Sequence, residues 1–554
     1  MFYVKIKCVA IGKRCLTKSF QVIPKRSLST KQIGSTTSEN SSTNLCQHSG
    51  ASLDWKQARP FNELPTDNAF KLICKFLPGG RYYNLDSNQL EMAMRKEFGD
   101  IFVVPAVLGR PATLVTHNPN DFASVFRNEG IWPIRPFSTL RYHRRKRHAD
   151  FYQGVEGVLT TQGEQWSSFR SAVNPLLMQS KSILLYLSRM AQVSQEFVDR
   201  IRLIRDPNTL EVPANFEDYI QRWLLESVSL VALDNNLGLL REHNENHADG
   251  MKMISALNTI FTLGYDLEWK PSLWRRMSTP KFKRVMQAMD DVQNISLKYI
   301  DKAIEKLEAE KQQGFERPEH EKSAFEKLLK IDRKVATVMA TDLLLGGVNT
   351  TTSAVTAILL CLAKDPQKQQ RVREEVMQIL PQKDGDFTAD ALNNVSYMRA
   401  CIKESMRVYP LSVGIVRVTQ NDLVLSGYRV PKGTLVNMVA TTLMANEKYF
   451  PHPLEFLPER WLRSAKGGDE NSANSATECV QTLKPNNPFI FLPFGFGPRI
   501  CLGRRISELE MELGIARIVR NFKIEFNYPT ANAFKSLFVN LPNIPLKFKF
   551  TDIE

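Results

Sequence analysis

Eight cysteines are spread over 554 residues, and none stands in Cys-x-x-Cys or Cys-x-x-Cys-His spacing. That excludes the usual zinc ribbons and covalent attachment of a c-type haem, and it suits a reducing compartment. The eight histidines contain no His-Glu-x-x-His. His243 and His247 are four apart, but they sit in the polar stretch Arg241-Glu-His-Asn-Glu-Asn-His247, which reads as solvated chain rather than a metal site. No Gly-x-Gly-x-x-Gly fingerprint occurs between a strand and a helix pattern, so the chain carries no dinucleotide site of its own. No stretch approaches 18 consecutive apolar residues, which excludes an obvious membrane anchor. Acid is missing too: the first 38 residues hold no Asp or Glu against eight Lys and Arg.

That basic, Ser/Thr-rich start has the composition of a mitochondrial transit peptide over residues 1–38, with cleavage expected between about 28 and 50. Its loss lowers the formal net charge from +15 by eight, to +7. Residues 39–54 read as a flexible linker, and 55–554 as one globular domain. Hydrophobic content of 43% with 31 Phe is enough for a large core. Alternation predicts short strands around Ile101 to Val107 and Ala112 to Thr116. The run Arg141-Tyr-His-Arg-Arg-Lys-Arg-His148 is read as a solvated surface face facing acidic lipid or partner, not a nucleic-acid patch. Trp269 and Trp274, beside cations, suit a membrane interface and core packing equally. Residues 463–487 read as a solvated polar insertion.

The densest signal is Phe494-Gly-Phe-Gly-Pro-Arg-Ile-Cys-Leu-Gly503. A thiolate that binds a metal from one side needs backbone curled around the sulfur, and Gly497 and Gly503 permit that. Backbone N–H groups and a helix starting near Leu502 are expected to keep Cys501 ionised, with Arg499 adding a cation. This Phe-x-x-Gly-x-Arg-x-Cys-x-Gly pattern resembles the haem-binding loop of the cytochrome P450 monooxygenases. The resemblance implies a mainly α fold, a large helical domain enclosing haem b with small β-sheets at one side. It implies Cys501 as the axial thiolate on iron, with Phe494 and Arg499 serving the cofactor.

Further motifs agree in order. Trp166 and Arg170, four apart on one helix face, are similar to the family's propionate-holding pair, and Arg417 matches a further propionate cation. A helical pattern from about Asp332 to Lys364 contains Gly346-Gly-Val-Asn-Thr350. Two glycines inside a helix cost about 1 kcal/mol each. In the family such glycines allow close approach to haem and a groove for dioxygen, and the threonine helps deliver protons. The usual acid before that threonine is replaced here by Asn349, which can orient a water but cannot titrate. Glu404 and Arg407, with Arg460 of Pro458-Glu-Arg-Trp461, resemble the family's buried carboxylate between two guanidiniums and are assigned to folding. Leu411 to Ile415 and Phe534 to Phe538 are expected to line the substrate pocket.

With no reductase module, electrons must come from a partner. The resemblance is to the mitochondrial branch, which implies NADPH, a ferredoxin reductase and an acidic adrenodoxin-like [2Fe-2S] ferredoxin docking on Arg399, Lys403, Arg504 and Arg505. Trp132-Pro-Ile-Arg-Pro, Phe151-Tyr-Gln-Gly and Val173-Asn-Pro-Leu-Leu-Met178 look closest to the insect mitochondrial xenobiotic-handling clade. The expectation is a lipophilic small-molecule substrate, no nucleic acid, and peripheral attachment to the matrix side of the inner membrane. An ecdysteroid or sterol hydroxylase is the alternative, and a non-catalytic haem-binding sensor or carrier a weaker one that Asn349 alone favours.

Overall fold

A 32-residue helix from Arg333 to Lys364 runs through the centre of the chain, and almost every residue on it is buried. The computed structural model describes residues 54–241, 244–462 and 487–553. The transit peptide, the cleavage window, the linker up to residue 53, His243 and the insertion up to residue 486 lie outside the described residues. Seven helices position the site: α1 (Gly163–Leu177), α2 (Phe216–Leu233), α3 (His247–Glu268), α4 (Pro280–Gln312), the central α5 (Arg333–Lys364), α6 (Ser396–Val408) and α7 (Arg504–Asn521).

Helix α5 starts where Asp332 accepts from the Val335 N–H at 2.9 Å, an ordinary acidic N-cap. Its length and apolar content would let it cross a membrane, but 83% of that apolar window is buried inside the protein. A helix apolar on every side needs neighbours on every side. Here they are α2 and α4 along its flanks, with α6 and α7 beyond. Helix α4 carries Pro280 in its first turn, capped by the Thr279 hydroxyl.

The β structure is small and peripheral. One four-stranded sheet has the order β1-β2-β4-β3, from β1 (Ile101–Val104), β2 (Thr113–Thr116), β3 (Gly414–Val418) and β4 (Leu435–Val439). β2 and β4 are parallel, with Thr113 opposite Leu435, and the other pairings are antiparallel. Three two-stranded ribbons complete the described strands, among them Phe534–Ser536 with Asn540–Pro542. The core therefore sits among the helices, with a second apolar cluster where Leu114, Phe122, Val436 and Met438 cover the sheet.

One expectation is corrected in part. The basic run 141–148 keeps an exposed face, with Arg141, Arg145, Lys146 and Arg147 at the surface, but it is also anchored inward: His143 and Arg144 are 2% and 1% exposed. Arg144 bonds Asp342 of α5 and the Glu156 carbonyl, Arg145 pairs with Glu156, and Arg147 with Asp290. Burying a guanidinium is tolerable only with such partners. Of the two readings left open for the tryptophans, core packing holds for Trp274. Its ring stacks on Phe282 at 4.9 Å and its Nε1–H donates to the Leu267 carbonyl at 2.8 Å, while Trp269 is half-buried.

Candidate functional site

The cysteine loop arrives from a single 3₁₀ turn, Gly497–Arg499, and delivers Cys501 three residues before α7. Gly495 and Gly497 both take positive φ, +77° and +69°, which side chains rarely adopt. At Gly497 a Cβ would also meet the Glu129 carboxylate at 2.0 Å, so the bend admits nothing larger. Gly503 is different. A Cβ there would make only an ordinary 4.0 Å contact with the Cys501 sulfur. What Gly503 contributes is its N–H, which hydrogen-bonds the sulfur. The Cys501 N–H in turn donates to the Phe494 carbonyl at 2.8 Å, closing the loop.

The thiol was expected to be ionised by that N–H, by nearby cations and by the helix end. In the folded chain burial outweighs them and pushes the Cys501 pKa up, although the Gly503 N–H, Arg135, Arg170 and Arg504 all pull it down. Yet part of the Cys501 surface is exposed. Both observations hold if the sulfur faces an interior void. Helix α5 supports this. In the buried run from Ala336 to Ala363, Gly346, Gly347 and Thr350 alone are only partly covered. A Cβ on Gly346 would meet nothing within 4 Å, whereas one on Gly347 would strike Val228 of α2 at 2.9 Å. The adjacent glycines thus do separate things: Gly346 opens the void and Gly347 lets α2 approach. Thr351 and Ser507 hydroxyls, 3.3 Å apart, pin α5 to the first turn of α7, which follows Cys501 by three residues.

Around the sulfur stands a surplus of positive charge. Arg135, Arg170, Arg417 and Arg499 perturb one another electrostatically. One carboxylate, Glu129, pairs directly with this group, accepting from Arg417 Nε at 2.7 Å. Burial, then Arg135, lowers the Arg499 pKa to about 9; burial, then Arg417, lowers that of Arg135 to about 10. Arg499 itself is structural in its contacts. It donates to the carbonyls of Pro133, Val158 and Thr161 and to Gln162 Oε1, and it lies 3.9 Å over the Trp166 ring. Arg170 Nη2 donates to the Ile500 carbonyl at 2.8 Å. The Nε atoms of Arg135 and Arg170 and the indole Nε1 of Trp166 are buried without partners. Buried donors without acceptors cost about 1–3 kcal/mol each and call for a guest. A dianionic ligand whose metal accepts a thiolate answers both the charge and the orphaned donors. The residues present therefore fit haem b.

Arg135 carries no motif and is absent from the expected site set. Trp132-Pro-Ile-Arg-Pro gave its identity but not the burial of its Nε; its backbone N–H donates to Gln162 Oε1, which also accepts from Arg499. Replacing Arg135 with alanine removes a charge-assisted donor, an effect of about 1.5–3 kcal/mol. The expected result is folded protein with haem retention weakened about tenfold or more, read as transfer of haem to apomyoglobin. Unchanged retention would remove Arg135 from the site.

The remaining residues fall into separate groups. Thr350 is half-buried, like the neighbouring Gly346 and Gly347, and its Oγ1–H donates to the Gly346 carbonyl at 2.7 Å. Asn349 turns away: it is 1% exposed, and its Nδ2 donates to Asn258 Oδ1 of α3 at 2.6 Å in a ladder that continues to Gln221 of α2. Phe538 meets Phe137 at 5.3 Å and Phe261 at 6.3 Å, giving the expected 534–538 segment an aromatic wall that also draws on α3. Glu404, Arg407 and Arg460 form one buried ion cluster, Arg407 Nη2 and Arg460 Nε donating to Glu404 Oε1 at 2.8 and 2.9 Å. Of the basic set, Arg399 is held by Glu512 through 2.6 and 2.8 Å bonds and Arg504 by Glu508 at 2.8 Å, while Lys403 and Arg505 are exposed.

Residues 80–550 match the sequence model of the family described as Cytochrome P450. Among curated proteins, the chain is 53% identical over 506 residues to cytochrome P450 CYP12A2 of Musca domestica, covering 91% of this chain and 93% of that one. It is 55% identical over 503 residues to the probable cytochrome P450 12a5, mitochondrial, of Drosophila melanogaster, covering 90% and 92%. A more distant relative, cytochrome P450 12b1, mitochondrial, of Drosophila acanthoptera, is 37% identical over 474 residues, covering 85% and 86%.

Proposed function

The chain belongs to the cytochrome P450 family, the haem-thiolate monooxygenases, and from that premise we propose a mitochondrial, ferredoxin-dependent enzyme that oxygenates lipophilic xenobiotics. The observation that carries the reading is the guanidinium surplus around Cys501. When bound there, haem supplies dioxygen activation, the chemistry that inserts one oxygen atom into a substrate C–H bond.

The chain's own residues do the rest. Cys501 would hold the iron through its sulfur, with the Gly503 N–H tuning its electron density. Arg135, Arg170, Arg417 and Trp166 would hold the carboxylates of the haem. Thr350 Oγ1, whose own hydrogen is held by the Gly346 carbonyl, would accept a hydrogen bond from a water at the wall of the void and keep that water in place for proton delivery. Asn349, committed to Asn258, cannot supply that proton, so delivery runs through water and Thr350. Phe137, Phe261 and Phe538 exclude water and favour apolar substrates. The basic, acid-free segment 1–38 and the mitochondrial names of the relatives support import. Exposed Leu273 and Met277, beside Arg275 and Arg276, support peripheral contact with the matrix side of the inner membrane.

The decisive assay is reconstitution of the mature protein with NADPH, ferredoxin reductase and ferredoxin, reading oxygenated product. Titrating ferric protein with xenobiotic and ecdysteroid panels separates the substrate classes. Shifts of the haem absorption across many unrelated xenobiotics support the proposal, and one tight, selective ecdysteroid response replaces it with hormone synthesis.

Docking can be predicted more sharply than from sequence. Because Glu512 holds Arg399 and Glu508 is shared by Arg504 and Arg505, the exposed Lys403 contributes most to the field an acidic ferredoxin meets. Lys403→Glu is expected to raise the ferredoxin concentration for half-maximal turnover about tenfold, most at low salt, without altering substrate binding. Arg399→Glu should act partly through the fold, by repelling Glu512. Unchanged ferredoxin kinetics in both would refute the docking face.

A further inference from the structure

We propose that His143, His148 and Asp290 form a binding site for a divalent transition metal, zinc foremost, stapling the basic segment before Ala149 to helix α4. The local backbone is what brings the two histidines together. Residues His143–Arg147 form a π-helical turn, with the His148 N–H donating to the His143 carbonyl at 3.0 Å. That wider turn puts residues five apart on one face, a geometry concentrated at functional sites. The two rings lie 4.6 Å apart, centroid to centroid.

Both Nε2 atoms converge on one oxygen across 142 or more residues of sequence. His143 Nε2 is 3.0 Å and His148 Nε2 2.8 Å from Asp290 Oδ1, and the three ligand atoms all lie within 4.8 Å of one another. Tetrahedral zinc with bonds of about 2.0–2.1 Å separates its ligand atoms by about 3.3 Å. The two short separations therefore need to open by roughly half an ångström or less. Two imidazoles and a carboxylate are a donor set suited to zinc, nickel or copper rather than calcium or magnesium. The other carboxylate oxygen is already oriented: Arg147 Nη2 donates to Oδ2 at 2.5 Å, and its Nε reaches both oxygens at 3.0 and 3.1 Å. Ligating carboxylates are commonly held by such a partner. His148, 29% exposed along its side chain, leaves an approach for the ion and a water as fourth ligand.

Nearby cations set the affinity. Arg144 and Arg145 are neutralised by Asp342 and Glu156, so Arg147 is the charge that opposes a dication most directly. The staple has a mechanical consequence, because the residue next to His143 is Arg144, whose ion pair fastens this segment to the central helix α5. Metal at His143 and His148 fixes α4 and α5 to the same short stretch of chain.

The test is equilibrium dialysis of untagged, haem-loaded, chelator-treated protein against micromolar zinc, with thermal melting alongside. The wild type is expected to take up one zinc that His148→Gln and Asp290→Asn bind at least tenfold more weakly. Zinc should raise the melting temperature of the wild type and leave that of His148→Gln unmoved. Should Asp290→Asn fail to fold, His148→Gln, altered at a partly exposed ring, decides alone. No zinc in the wild type, or equal uptake by His148→Gln, overturns the site.

Discussion

Replacing Cys501 with serine is expected to abolish monooxygenation while leaving the fold in place. Serine is smaller but close in shape, and the hydrogen bond that closes the loop, from the residue 501 N–H to the Phe494 carbonyl, involves backbone alone. The Gly497 bend against Glu129 is likewise untouched. What is lost is the soft, electron-rich ligand that tunes the metal toward O–O cleavage. Turnover is expected to fall by about 10³-fold or more, at least roughly 4 kcal/mol in the barrier. The thiolate signature in the haem absorption spectrum should vanish with it. The arginine surplus makes a second expectation separable from the first: because Arg135, Arg170 and Arg417 remain, the serine protein should still take up haem, though more weakly. Retained turnover in Cys501→Ser would refute the central assignment. Loss of both haem and fold would instead make Cys501 a packing residue.

How much of this was legible beforehand depended on whether a residue's partner was close in sequence or carried by a motif. The central helix was readable almost to the residue, from about Asp332 to Lys364, because a helical pattern is a local property. The strands at Ile101 and Thr113 were readable for the same reason, within a few residues at their ends. The exposed face of the run 141–148 was legible, but the burial of His143 and Arg144 was not, because the compensating acids, Glu156, Asp290 and Asp342, come from three different parts of the chain. Charge density alone says solvent; only the fold supplies the carboxylates. Arg135 was invisible for the converse reason, since nothing in Trp-Pro-Ile-Arg-Pro announces that its guanidinium will be left without a partner at Nε. Gly346 and Gly347 were read as a unit, and only the position of Val228 separates their tasks.

Breaking the Glu404 cluster is expected to have the largest effect on stability. Glu404 and Arg460 are fully buried and Arg407 is 2% exposed, so water cannot replace a missing partner. Glu404 accepts from Arg407, from Arg460, from the indole of Trp461 at 2.8 Å and from the Leu457 N–H at 3.0 Å. The guanidiniums then reach outward. Arg407 donates to the carbonyls of Met444, Pro453 and Glu455, and Arg460 to that of Pro451. One carboxylate thus orients two cations that satisfy the backbone of the irregular stretch between residues 444 and 461. Glu404→Gln keeps the shape of the side chain but leaves two buried positive charges against none. That costs about 3–5 kcal/mol, a large share of a stability of roughly 5–15 kcal/mol. Arg407→Lys should fail nearly as badly, because an ammonium cannot serve the carboxylate and three carbonyls from one planar fork. The measurement is the denaturant midpoint of each variant, with haem-loaded yield beside it. Both variants should unfold at markedly lower denaturant and yield little haem protein. A Glu404→Gln protein within about 1 kcal/mol of the wild type, yet impaired in turnover, would move the cluster from the fold to the chemistry, a role its burial and its outward hydrogen bonds argue against.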